Sequence, residues 1–247
     1  MSQPPHLILY HDWGSTCSQK VRLTLAEKGL GYEGRVVRLR QFEHLESAFL
    51  ALNPDALVPV LVHDGFLLKE SSVITEYLDA IWPEPPLQPS DPQGRAEVGM
   101  WTRFIDQVTS PAIKKPSFAR NLVGHLQQMG VATVDKRTSR MPSLAVRDRW
   151  RSAARGGFVA AELEDAHADL RRTLEKMETA LASEEWLVRG TCTLADLHAL
   201  PFVERMASLP PYQLERDWPA VHAWHARMRA RPSFAQACFA GPPVAAQ

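Results

Sequence analysis

Cysteine is scarce in this 247-residue chain. Cys17, Cys192 and Cys238 are too few and too scattered for a disulfide framework, and a reducing cytoplasmic setting is expected. Long apolar runs are also missing: nothing approaches the ~18 residues of a membrane span. The opening MSQPPHLILYHD has neither the basic start nor the apolar core of a signal peptide. Net charge is absent too, because 28 Lys+Arg face 28 Asp+Glu. No global field draws the chain to nucleic acid or an anionic membrane. His222 and His225 have helical spacing but no third ligand beside them, so no metal site is expected. There is no internal repeat and no low-complexity tract.

Proline, by contrast, is plentiful and unevenly placed. WPEPPLQPSDP, Trp82 to Pro92, holds five of the 19 prolines, and no regular element runs through such a stretch. It divides the chain into 1–82, a linker over 83–92, and 93–247. In the first part HLILY and GRVVRL read as strands, LVPVLV and FLLK as a hairpin around His63-Asp64-Gly65. Between them Val21 and Leu25 mark one helix, closed at Gly29. Leu45, Phe49 and Leu52 mark a second, and Val73, Ile74, Tyr77, Leu78 and Ile81 a third that opens at Ser71. The order β-α-β-α-β-β-α makes the first two strands parallel and the last two antiparallel. An α/β sandwich is therefore expected, followed by an all-α domain. The helical period fills RAEVGMWTRFIDQV, AELEDAHADLRRTLEKMETALAS, TLADLHALPFVERM and WPAVHAWHARMRA. The stretch from Leu122 to Gly157 fits no element cleanly.

The chemistry concentrates where the first strand feeds the first helix, at GSTCSQKVR. Backbone N–H groups and a helix dipole at that turn stabilise an anion, a thiolate included. Ser15, Cys17 and Ser18 are the candidate catalytic residues. Ser15 also suits a helix cap, and Cys17 also suits a packed apolar position. Serine stands at both ends of what would be a Cys-x-x-Cys pair, so dithiol exchange is excluded. Thr193 and Asp196 form a capping box and read as structural.

Four stretches together resemble the cytosolic glutathione transferases: STCSQKVR, NPDALVPVL, LLKESSVITEYL and TLADLHAL. The resemblance spans essentially the whole chain and implies a thioredoxin-like N-terminal domain with an all-helical C-terminal domain. It implies glutathione as co-substrate, with Ser15 donating to its sulfur, Ser18 assisting and Cys17 acting only in a monothiol variant. Val58 would pair its backbone with the peptide ahead of a cis Pro59. Glu70 and Ser71 would hold the γ-glutamyl end, and Gln41 or His44 the glycyl carboxylate. A small hydrophobic electrophile would lie against Trp101, Phe104, Ile105 and Ser110. QFEH, the stretches after it and RAEVGMWTRFIDQ are similar to bacterial transferases that cleave lignin-derived β-aryl ethers. Two-fold pairing, with an identical or a different chain, is implied as well. A monothiol oxidoreductase using Cys17 and a non-catalytic binding module are the alternative readings. The basic run from Asp135 to Arg155, Lys136 and six arginines against two aspartates, is expected to be a solvated connection, with nucleic-acid binding the sharper reading.

Overall fold

The computed structural model describes residues 6–237. The expected element order is present. Strand β1 (Leu7–His11) leads into helix α1 (Thr16–Glu27), then β2 (Glu33–Val36), a short α2 (Ser47–Leu52), β3 (Val60–His63), β4 (Phe66–Leu68) and α3 (Ser71–Ile81). The sheet order is β2-β1-β3-β4. β1 and β2 are parallel, with Leu9 opposite Gly34, and β3 runs antiparallel to both β1 and β4. The hairpin turn uses Asp64 and Gly65, both at positive φ (47° and 86°), which is what a two-residue turn matched to strand twist demands.

Helix α1 is covered on both sides. Val21 and Leu25 join the sheet core with Leu7, Leu9, Leu61, Ile74 and Leu78. Leu23 points the other way, into the core of the helical domain. The helix ends at Lys28, and Gly29 follows at φ 63°, the left-handed position that favours glycine. Lys28 Nζ then grips Asp79 of α3 and the carbonyls of Trp82 and Pro85, at 2.7 and 2.6 Å for the latter two.

The helical domain contains α4 (Pro92–Phe104), a π-turn over Ile105–Thr109, and α5 (Ser110–Asn121) as one continuous rod. After it come α6 (Val123–Met129), α7 (Val131–Thr138), α8 (Leu144–Ala154) and α9 (Ala160–Leu181). The chain continues with α10 (Leu194–Ala207), α11 (Leu214–Asp217), α12 (Pro219–Ala230) and α13 (Pro232–Gln236). The Asp135–Arg155 run is thus not a solvated connection. It forms α7 and α8, and with α6 these bury Leu126, Val134, Met141, Trp150, Ala153 and Ala154 against Phe42, Leu45 and Ala56 of the N-terminal domain. The second predicted helix is correspondingly shorter than expected. Two 3₁₀ turns precede it, Phe42 sits at φ 64°, and Leu45 and Phe49 enter different cores.

Asp196 is fully buried at the head of α10 and closes the expected capping box. It accepts from the backbone N–H groups of Thr193 (3.0 Å) and Leu187 (3.1 Å) and from the indole N–H of Trp224 (2.8 Å). Burial still pushes its carboxyl above the usual range, but removing it orphans three donors in a dry core. Asp196→Ala should therefore destabilise the protein by roughly 3–5 kcal/mol. Urea unfolding would measure this, and a loss below about 1 kcal/mol would contradict the structural role given to the carboxylate.

Candidate active site

The turn between β1 and α1 is held from behind. Asp12 Oδ1 accepts from Gly14 N (2.7 Å) and Oδ2 from Leu39 N (3.1 Å). Arg22, buried on α1, donates to the carbonyls of Asp12 and Trp13 (3.2 and 3.3 Å) and lies 4.8 Å from the centre of a Trp13 ring. Arg205 of α10 donates to the Gly14 carbonyl at 2.8 Å. These cations hold the carbonyls of the turn in place behind the start of α1. Arg22 also reaches His11 Nδ1 at 3.2 Å. That contact needs a neutral ring accepting at Nδ1. Burial, and then the Arg22 charge, lower the His11 pKa to about 4.

Ser15 is the N-cap of α1. Its half-buried Oγ accepts from Ser18 N at 3.2 Å, which leaves the hydroxyl proton free to donate outward. Ser18 is fully buried, its Oγ 3.4 Å from Asp12 N, so it ties the helix to the strand end. Cys17 is half-buried and free.

Two further segments flank the turn. The Val58–Pro59 bond is cis. Asn53 shapes the loop before it, donating to Leu57 O (2.8 Å) and accepting from Asp55 N (3.1 Å). At the head of α3, Glu70 adopts φ 65°, a strained conformation for a non-glycine residue that costs on the order of 1–3 kcal/mol. Such strain is kept where the surroundings over-determine it, and here it presents an exposed carboxylate beside the buried Ser71. Lys20 on α1 is fully buried. Its Nζ binds Ser72 Oγ (2.9 Å) and Asp106 Oδ1 (2.8 Å), and the Ser72 hydroxyl donates to Asp106. Three elements, α1, α3 and the π-turn, are thereby joined at one point.

Comparison with known proteins shows the family that shares this fold. Residues 14–81 match the model for the glutathione S-transferase N-terminal domain, and residues 143–232 the model for its C-terminal domain. Protein LigF of Sphingobium sp. (strain NBRC 103272 / SYK-6) is 30% identical over 92% of this chain and 91% of its own. The chain belongs to the glutathione S-transferase family. The solved structure of the β-etherase LigF aligns with a TM-score of 0.87 at 28% identity, covering 95% of this chain and 99% of that one. Glutathione S-transferase Z1 of Arabidopsis thaliana is 43% identical over 36% of this chain and 41% of its own. The fold is shared with the glutathione transferase URE2P8 of Phanerochaete chrysosporium, solved with oxidised glutathione (TM-score 0.73, 20% identity, 96% and 95% coverage). The protein is an enzyme of this family, whose co-substrate is glutathione.

In this glutathione S-transferase, Ser15 and Cys17 open α1, the cis Val58–Pro59 bond leads into β3, which pairs with β1, and Glu70-Ser71 open α3, which packs on α1. Gln41 lies farther along, at a groove of about 810 Å³ lined also by Phe42, Lys136 and Arg137. His44 is buried, its ring 5.9 Å from that of Trp150 on α8, which leaves it almost no surface for a ligand. The expected electrophile wall is largely interior. Ile105 is enclosed in the helical core with Trp101, and Lys176 of α9 stacks on Trp101 at 4.3 Å. Phe104 is half-buried against that same core, also beneath Lys176, and Ser110 is buried. The residue this rod turns toward the N-terminal domain is Asp106, bound to Lys20 and Ser72, which the sequence reading passed over. So were Lys20 and Arg22, whose signal was available: two cations inside a helix otherwise filled by Val21, Leu23 and Leu25. Cys192 is buried and its thiol pushed up by burial, as a packing residue's should be. Cys238 lies outside the described residues. Among the described residues no His/Cys/Asp/Glu group suits a metal ion. His225 instead meets Glu204 at 2.6 Å. No helix among them is long and apolar enough to cross a membrane.

Burial lowers His44 to about pKa 4 as well. Both histidines are neutral when folded, while the unfolded chain protonates them below their ordinary value of 6.5. Their contribution to stability is thus intact above about pH 6.5, lost as pH falls toward about 4, and level below that. Urea midpoints between these values should decline in the wild type. They should decline more shallowly, by about one proton, in His44→Phe; an unchanged slope would show that His44 is not the titrating group.

Proposed function

We propose that this glutathione S-transferase cleaves β-aryl ethers, the glutathione thiolate displacing a phenolic oxygen from a carbon next to a ketone. The observation that carries the reading is the half-buried Ser15 hydroxyl at the α1 N-terminus, which accepts from Ser18 N and keeps its own proton to donate. The substrate class rests on the similarity to the β-etherase LigF along nearly the whole chain.

A free thiol has a pKa of about 8.5, and lowering it by two units requires about 2.7 kcal/mol of differential stabilisation. A hydroxyl donating to sulfur and the exposed N–H groups of α1 are the means at hand. Ser15 is the donor; Ser18, buried and committed to Asp12, supports the turn. Val58 would offer its backbone to the cysteinyl unit. The Glu70 carboxylate and the Ser71 hydroxyl would take the charged γ-glutamyl end, with Gln41 toward the glycyl end. The attack forms a C–S bond, and the C–O bond breaks with its electron pair on the departing aryloxide oxygen. A second copy of this chain would cover the exposed apolar residues Phe66, Val73 and Met100.

Ser15→Ala should raise the bound thiol pKa toward the free value and lower kcat/KM by about 10²-fold, read by thiolate absorbance against pH and by phenol release. An unshifted thiol pKa in the wild type would remove the activation step and favour a binding module. The monothiol reading is supported by Cys17, a free and half-buried thiol in the first turn of α1. Cys17→Ser should retain phenol release; loss of a glutathione-dependent thiol-exchange activity in that variant would reverse the assignment.

A further inference from the structure

The peptide group between Gly14 and Ser15 is gripped at both ends. Its N–H, on Ser15, donates to Asp12 O at 3.3 Å. Its carbonyl, on Gly14, accepts from Arg205 Nη2 at 2.8 Å. Fixing that plane fixes the φ of Ser15, −78°, and with it the direction in which Cβ and the hydroxyl leave the chain. Arg205 stands in the last turn of α10, a helix of the other domain that packs on α1. A basic residue there has an ordinary explanation, since it complements the dipole of its own helix. Dipole complementation needs the guanidinium only near the α10 carbonyls. The observed bond instead crosses to the peptide plane that precedes the serine proposed to activate the thiol. Arg22 binds the carbonyls one and two residues earlier, on Trp13 and Asp12. The two arginines divide the turn between them, and Arg205 has the end next to Ser15.

We propose that Arg205 is a positioning residue for thiolate formation: by holding the Gly14 carbonyl, it keeps the Ser15 hydroxyl aimed at the sulfur of bound glutathione. The inference rests on Ser15 being the donor to that sulfur. The thiol proton leaves to water, and the hydroxyl keeps its own proton and donates it to the sulfur anion. Such a bond is directional and weakens steeply as its angle closes. A serine that donates well in one orientation donates poorly once the plane before it can rotate. The contact from Ser18 N, at 3.2 Å, ties Ser15 to the helix that follows and leaves the preceding plane to Arg205 and Asp12. The charged groups around Arg205 are Asp12 and Arg22 at the turn and Arg40 after β2. Burial lowers the Arg205 pKa from its ordinary value, with Asp12 opposing and Arg40 adding to the effect. An arginine remains a cation across the range in which a thiol titrates. A change in thiol acidity on removing Arg205 therefore cannot come from Arg205 losing a proton. The sheet domain carries the serine, and the helical domain sets its aim.

The test follows the thiolate absorbance of glutathione bound to the whole enzyme against pH. It compares the wild type with Arg205→Gln, Arg205→Lys, Ser15→Ala and the combined Ser15→Ala and Arg205→Gln variant. Arg205→Gln should raise the bound thiol pKa by about one unit. Its kcat/KM should then fall about tenfold below the wild-type midpoint and recover at alkaline pH, where both thiols are ionised. Arg205→Lys, which keeps a donor but not the planar fork, should recover part of the shift. In the Ser15→Ala background Arg205→Gln should add nothing, because the residue acts through that hydroxyl. A shift that persists there would overturn the positioning role and assign the Arg205 charge directly to the sulfur. So would an Arg205→Gln enzyme with an unmoved thiol pKa and a lowered urea midpoint, the mark of a tether between domains and nothing more. If Ser15→Ala by itself leaves the bound thiol unshifted, the Ser15 reading falls and this inference with it. If Ser15→Ala raises the pKa and Arg205→Gln does not, this inference alone is lost.

Discussion

A cation removed from water must be compensated where it stands, or the fold does not hold. Helix α1 buries three of them, Lys20, Arg22 and Lys28, and each is compensated by a different part of the molecule. Arg22 collects the carbonyls of the β1–α1 turn. Lys20 joins α3 to the π-turn through Ser72 and Asp106. Lys28 fastens the end of α3 and the proline-rich segment after it. The apolar residues between them supply the burial energy for both cores, but burial is not directional. It is the three cations, with their fixed partners, that set how the sheet meets the helices and where the open N–H groups of α1 face.

The π-turn complements this. A continuous α-helix from α4 through α5 would keep its faces in one register. One wide turn, over Ile105–Thr109, rotates everything after it. The rod can then pack Trp101 and Ile105 into the helical core and still turn Asp106 toward Lys20 of α1. The electrophile wall implied by the resemblance, Trp101, Phe104, Ile105 and Ser110, falls largely on the inward side of this rod.

Most of the N-terminal domain was legible in the sequence because its signals are local. Asp64-Gly65 forces a hairpin, Gly29 ends a helix, and the alternation of strand and helix dictates a parallel pair. Ser15 and Glu70-Ser71 could be placed because they sit at helix starts. The α6–α8 module was not legible, for physical reasons. Its helices are short, interrupted by Gly130 and Pro142, and rich in arginine. Their apolar residues are sparse because much of the core they complete, Phe42, Leu45 and Ala56, is supplied from elsewhere in the chain. The role of Asp106 likewise depends on a contact across a long sequence separation, to Lys20, which no spacing rule encodes.

The grip on the proline-rich connector has a consequence for motion. Its early carbonyls are held by Lys28. Farther on, Leu87 is buried in the helical core, donates its N–H to Asp79 of α3 and accepts from Leu194 N at the head of α10. A linker seized from both sides cannot serve as a hinge. The sheet domain and the helical domain are fastened to each other at the very segment that divides them in the sequence, so a relative movement has to break hydrogen bonds anchored in a buried core.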